Sequence, residues 1–108
     1  MEAGPDFSVT RRRADDAVVV MPTGEIDVAT ADAFEAEIAA ARTESSEIVL
    51  DLRRTTFMDS TAIRLVVALA RDLGSTFAVV RGTGEVARLF ELVGLDGRVR
   101  MVDTAPGE

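Results

Sequence analysis

The residues best suited to chemistry in this sequence are Asp59, Ser60 and Thr61. A carboxylate and two hydroxyls stand in a row directly ahead of a long apolar stretch, Ile63 to Leu73, whose spacing is helical. A helix start leaves its first backbone N–H groups without intrahelical acceptors and carries partial positive charge. Asp59 or Ser60 can cap such a helix through a side-chain oxygen. The same place can hold a phosphate. Taken locally, Asp-Ser ahead of an apolar helix is first of all a cap. Phosphorylation of Ser60 is compatible with that use, because a phosphate would meet free N–H groups and a favourable dipole without breaking the fold. It would add about −1.5 to −2 charges beside Asp59. A hydrolytic role lacks its parts: no histidine is present to activate Ser60, and with no lysine there is no Ser-x-x-Lys pair.

Other candidates are weaker. Glu25 and Asp27 follow a strand and form no general-acid/base pair that spacing could support, so they are expected as solvated loop acids. Gly82-Thr83-Gly84 precedes a helix and resembles half of a phosphate loop, but the lysine and remaining glycines are missing and Glu85 would repel phosphate. It is expected to be a turn. The chain has no cysteine and no histidine, which excludes disulfides, thiol nucleophiles and His/Cys zinc sites. No calcium-loop spacing appears, and no cofactor or metal is expected. The net charge of −7 argues against nucleic acid as a partner. The basic run Arg11-Arg12-Arg13 is followed at once by Asp15-Asp16 and is expected to be a strand end and turn with a solvated face. All 12 basic residues are arginine.

The elements that must position Ser60 come from periodicity. At 108 residues the chain is expected to be one domain, with a core of about 7–102 and short flexible termini. No apolar run approaches the roughly 20 residues of a membrane span. Residues 1–6 are acidic without an apolar stretch, so no signal peptide and a cytoplasmic location are expected. Phe7–Arg11 alternates as a half-exposed strand, Ala14–Asp16 is a turn, and Ala17–Pro22 is an apolar strand, together a hairpin. Gly24 closes that strand and is expected at a tight or positive-φ position. Thr30 is expected as the N-cap of a helix whose apolar positions are Phe34, Ile38 and Ala41. Strand Glu47–Leu52, a helix from Ser60 to Leu73 ended by Gly74, strand Thr76–Val80, helix Glu85–Val93 and strand Arg98–Val102 complete the pattern, with 103–108 as a tail. The order β-β-α-β-α-β-α-β predicts an α/β fold: a mixed, mostly parallel sheet with an N-terminal hairpin and helices packed on it. Apolar residues cover roughly 200° of the central helix, wider than one sheet contact needs. Leu65, Leu69 or Val67 is therefore expected near the surface unless another helix covers the excess.

Three stretches now carry a resemblance. Ile48–Leu52 followed by Phe57-Met58-Asp59-Ser60-Thr61-Ala62 resembles the signature of the STAS domain proteins called anti-sigma factor antagonists. Gly24-Glu25-Ile26-Asp27 resembles a second motif of that family, and Val86–Phe90 through Gly94-Leu95 a third. The first is specific, the others weak alone but correctly spaced, and together they span roughly Phe7 to Val102. The resemblance implies a non-enzymatic phospho-switch. The unphosphorylated antagonist would bind an anti-sigma factor that is also a serine kinase with a GHKL-type ATP site, freeing the sigma factor. Phosphorylation at Ser60, with Thr61 a secondary candidate, would end binding, and a PP2C-type phosphatase would restore it. Partner contacts are implied at Gly24, Asp27, Asp59, Ser60, Thr61, Ala62, Arg64 and Leu65. The family usually has glycine where this chain has Ala62. The alternative within the family is a scaffold or accessory subunit of a stress-signalling or lipid-transport complex without a sigma partner.

Overall fold

A computed structural model describes residues 7–108. The expectations for the extreme N-terminus, no signal peptide and a short flexible segment, lie outside the described residues. Among the described residues, six strands and three helices run β1 (Ser8–Ala14), β2 (Ala17–Ile26), α1 (Ala31–Glu44), β3 (Glu47–Asp51), β4 (Thr55–Met58), α2 (Ser60–Leu73), β5 (Phe77–Val80), α3 (Gly84–Leu92) and β6 (Arg100–Val102). The sheet order is β1-β2-β3-β5-β6, with β4 pairing β2 off that path. β1 and β2 are antiparallel and every other pairing is parallel, which is the predicted mixed α/β sheet.

The hairpin turns through Asp15-Asp16, with Asp15 at a φ of 55°. Two-residue hairpin turns need left-handed backbone, and aspartate tolerates it better than most side chains. β1 starts at Ser8 and runs on through all three arginines, past the expected end at Arg11. Two of the three reach α1: Arg11 pairs with Glu37 at 2.7 Å and Glu44 at 2.9 Å, and Arg13 donates to the Glu44 carbonyl at 2.7 Å. Exposed pairs of this kind add little stability, but they place α1 over the hairpin.

β2 continues past Pro22 to Ile26, where the sequence pattern had closed it. Its first half pairs β3 through Ala17↔Glu47 to Val20↔Leu50. Its second half pairs β4, with a register shift between Gly24 and Glu25. Gly24 has the positive φ expected of it, 98°, and its N–H donates to the Arg54 carbonyl at 3.0 Å. The bulge re-aims the strand so that Ile26 sits beside Met58.

One cluster fills the inner face. Val18, Val20, Ile48, Leu50, Phe77 and Val79 of the sheet meet Phe34 and Ile38 of α1, Ala62, Val66 and Leu69 of α2, and Val86 and Phe90 of α3. The wide apolar arc of α2 is partly covered by α1. Leu69 is buried, while Leu65 stays half-buried in a groove of about 420 Å³ that also touches Phe34, Ile38 and Arg42. Val67 is half-buried on the other flank, near Leu95 and Arg98. Gly74 ends α2 with a φ of 54°, as expected. At Gly82 an added Cβ would stand 2.8 Å from a Val86 methyl, so this glycine allows the turn to close on α3.

The tail departs most from expectation. Residues 103–108 pack back across the outer face of the sheet, where Ala105 is buried. The final strand is also shorter than predicted, because a 3₁₀ turn at Leu95–Gly97 takes the chain up to Arg98 before β6 begins at Arg100.

Candidate functional site

Two parallel strands end side by side. β2 finishes at Ile26 and β4 at Met58, and these two residues are Cα partners. Each strand then turns directly into a loop or helix start, so Asp27–Thr30 and Asp59–Thr61 are brought to the same edge of the sheet. Ligand and partner sites of α/β proteins commonly lie at the carboxyl ends of parallel strands.

Asp59 joins the two segments. Its backbone N–H donates to the Ile26 carbonyl at 3.2 Å. Its Oδ1 accepts the Ala62 N–H at 3.0 Å, which is the N-cap bond of α2. Its Oδ2 accepts the Val28 N–H at 3.1 Å. Of the two caps expected from sequence, Asp59 is the one that forms, and one carboxylate both starts α2 and holds the β2–α1 loop. Asp59→Ala is expected to cost about 1 kcal/mol of stability for the lost cap. It should also speed amide exchange at Val28 and Ala62. Unchanged exchange at Val28 would show that the loop is held by something else.

The loop itself is built on Asp27 and Thr30. Asp27 Oδ1 accepts the N–H groups of Ala29 at 3.0 Å and Thr30 at 3.2 Å. The buried Thr30 hydroxyl donates to the Glu25 carbonyl at 2.9 Å and accepts the Asp27 N–H, also at 2.9 Å. Thr30 is the N-cap of α1 by position, but its hydroxyl makes no cap bond to the helix. It turns back to the loop because three loop groups compete for it there. Asp27, expected to be a solvated acid when read alone, is half-buried and organises the turn.

Ser60 is the first residue of α2 and its side chain is exposed. Among the described residues, the N–H groups of Ser60 and Thr61 have no acceptor, while Ala62 and Ile63 donate to the Asp59 side chain and carbonyl. An oxygen-rich group on Ser60 would find these donors and the positive end of the helix within its own turn. Thr61 is half-buried and Arg64 is exposed one turn further along. Gly24 and Ala62 are buried, so they act on this edge through the backbone and the core and offer no side chain to a partner. Ala62 is 0% exposed, and its methyl points into the inner-face core. The Ala62 methyl thus sits in the core and adds nothing to the exposed surface around Ser60.

Sequence reasoning passed over Val28. Its side chain is 78% exposed, and its N–H is tied to the carboxylate next to Ser60. A lone valine among Asp27, Ala29 and Thr30 was the available signal. Phe57, 40% exposed on β4, is the second apolar side chain of this edge. It lines a groove of about 220 Å³ with Met58, Arg88 and Leu92 of the α3 side.

The chain resembles solved structures over most of its length. An anti-sigma factor antagonist from Mycobacterium paratuberculosis is 30% identical, with a TM-score of 0.81, covering 95% of this chain and 92% of that one. The anti-sigma factor antagonist SpoIIAA in its unphosphorylated form is 22% identical, with a TM-score of 0.70 and 88% of each chain covered. The Bacillus cell fate determinant SpoIIAA in its phosphorylated form, also 22% identical, gives a TM-score of 0.63 over 89% of this chain and 90% of that one. A comparison with curated proteins returns no match. The STAS domain model matches residues 8–106, from the first strand to the tail that covers the sheet, and the chain belongs to the STAS domain family.

Proposed function

We propose that the chain is an anti-sigma factor antagonist whose binding to an anti-sigma factor is switched by phosphorylation of Ser60. The observation that carries this reading is the exposed Ser60 hydroxyl at a helix start whose cap, Asp59, is locked to the neighbouring Val28 loop. Such a serine is reachable by a kinase, and the backbone around it is already fixed. A phosphate there adds charge at a prepared surface with little refolding. The likeness to an antagonist at 30% identity supports the class of partner, and a neighbour of the same fold is known in both phosphorylated and unphosphorylated forms. Asp27, Asp59, Arg64 and Leu65 frame the contact surface, and Thr61 is the secondary acceptor. The protein acts as substrate and binding module, without cofactor. Its kinase is the anti-sigma factor itself, of the GHKL-type ATPase class, and a PP2C-type phosphatase reverses the modification. It works in the cytoplasm.

Incubation of wild type and Ser60→Ala with the cognate anti-sigma kinase and ATP tests the acceptor. Wild type should take up one phosphate and the variant none. Equal incorporation into both would remove Ser60 from the switch.

A further inference from the structure

The two faces of the sheet are covered in different ways. β2, β3 and β5 are apolar at successive positions, the pattern of strands buried on both sides. All three helices, however, send their buried side chains into the inner-face cluster. The outer-face cluster consists of Ala14, Ala17, Val19, Val49, Ala78 and Val80 from strands, plus Ala105. Among the described residues, Ala105 is its one member from outside the sheet. Register places Arg12, Val19, Val49, Ala78 and Arg100 in a single row across β1, β2, β3, β5 and β6. The apolar middle of that row is nearly inaccessible, with Val19 at 2% and Ala78 at 1% exposure, although among the described residues no helix lies over it.

The covering segment is fastened at several points. Arg53, just after β3, pairs with the Glu108 carboxylate. Arg12 of β1 donates to the Pro106 carbonyl at 2.9 Å. Arg81 faces Asp103 at 3.5 Å, and within the segment Ala105 N–H donates to Glu108 Oε1 at 3.4 Å. Six residues thus bridge from the end of β6 back over β3 to β1.

We infer that Asp103–Glu108 is an intramolecular strap that closes the outer face of the sheet and limits self-association of the chain. Its hold is polar and peripheral, and a single alanine methyl makes its apolar contact. It can therefore open without disturbing the inner core. Once open, it bares a continuous row of valine and alanine, the kind of surface that draws copies together.

The test is sedimentation velocity on the full chain. Ala105→Glu should lift the strap and raise the self-association constant by about tenfold or more, with the far-ultraviolet circular dichroism of the wild type retained. Adding Val49→Thr to that variant should return association to the wild-type level, because the exposed row is then interrupted by a hydroxyl. A folded Ala105→Glu protein that associates no more than wild type overturns the inference, as does a double variant that still associates. Should Ala105→Glu fail to fold, amide exchange of the wild type decides. Exchange at Ala105 about a hundredfold faster than at Val49 shows a strap that opens on its own. Exchange of both at the global unfolding rate shows that it does not.

Discussion

Ser60→Asp is expected to weaken binding to the anti-sigma partner by about a hundredfold, through a fixed negative charge at the position where the proposed switch adds phosphate. The fold should hardly notice. Ser60 is exposed and is the first helical residue, a position where aspartate interacts favourably with the helix dipole. Stability should stay within about 0.5 kcal/mol of wild type. Aspartate carries one charge where phosphate carries nearly two, so the phosphorylated protein should bind more weakly still. Ser60→Ala supplies the control: its affinity should remain within a few-fold of wild type, because Ser60 contributes no cap bond to α2. Titration calorimetry with the unmodified partner reads all three. Equal affinities for Ser60→Asp and Ser60→Ala would mean that charge at this helix start does not govern docking.

The largest effect on stability is expected at Arg53. Asp51 is 2% exposed at the outer face, and its carboxylate is held by the Arg53 guanidinium at 3.0 Å and 2.8 Å and by the Arg53 N–H at 3.1 Å. Burial works against the charged form, but the hydrogen bonds and charge of Arg53 outweigh it, so the carboxyl sits below its ordinary value. The folded state then binds this proton less readily than the unfolded state. The stabilisation is fully present above the unfolded carboxylate value of about 4 and is lost as pH falls through the lower folded value. Arg53→Ala leaves a buried carboxylate with only a backbone N–H, and should cost about 1–3 kcal/mol near pH 7. Without the guanidinium, burial lifts the Asp51 carboxyl, and protonation relieves the penalty. The stability gap between variant and wild type should therefore narrow from pH 7 to pH 3. Urea unfolding across that range measures it, and a gap independent of pH would show that Asp51 is not the group left unpaired.

Both expectations rest on features of unequal visibility in the sequence. Val18 to Val20, Ile48 to Leu50 and Phe77 to Val80 declare themselves as strands through unbroken apolar, β-branched runs, and Phe34-Ile38-Ala41 declares a helix through its spacing. Local chemistry also marks Asp59 as a cap. What stayed hidden depends on partners far along the chain. β4 is four residues long and follows two arginines, and it becomes a strand only because β2 bends at Gly24 to meet it. The tail holds through a single buried methyl, through the Arg12 bond to the Pro106 carbonyl, and through Glu108, which lies 55 residues from Arg53. Nothing in the local pattern of Ala105-Pro106-Gly107 announces that contact. At the site, the bond between Val28 and Asp59 is equally nonlocal; the family resemblance implied Asp27 as a contact alongside Ser60, but no local pattern displayed the bond that joins the two segments.

The double engagement of Asp59 also bears on how a phosphoryl group could be transferred. A serine hydroxyl attacking a phosphorus atom must give up its proton, commonly to a carboxylate positioned to accept it. Asp59 is the adjacent carboxylate, yet each of its oxygens already holds a backbone N–H, from Ala62 and from Val28. The Asp27 oxygen that organises the loop is committed in the same way, and the chain has no histidine to stand in. The carboxylate nearest Ser60 is therefore already engaged in holding the fold together. On the proposed reading, a proton acceptor carried by the enzyme that brings the nucleotide leaves Asp59 free to keep its structural bonds while Ser60 reacts.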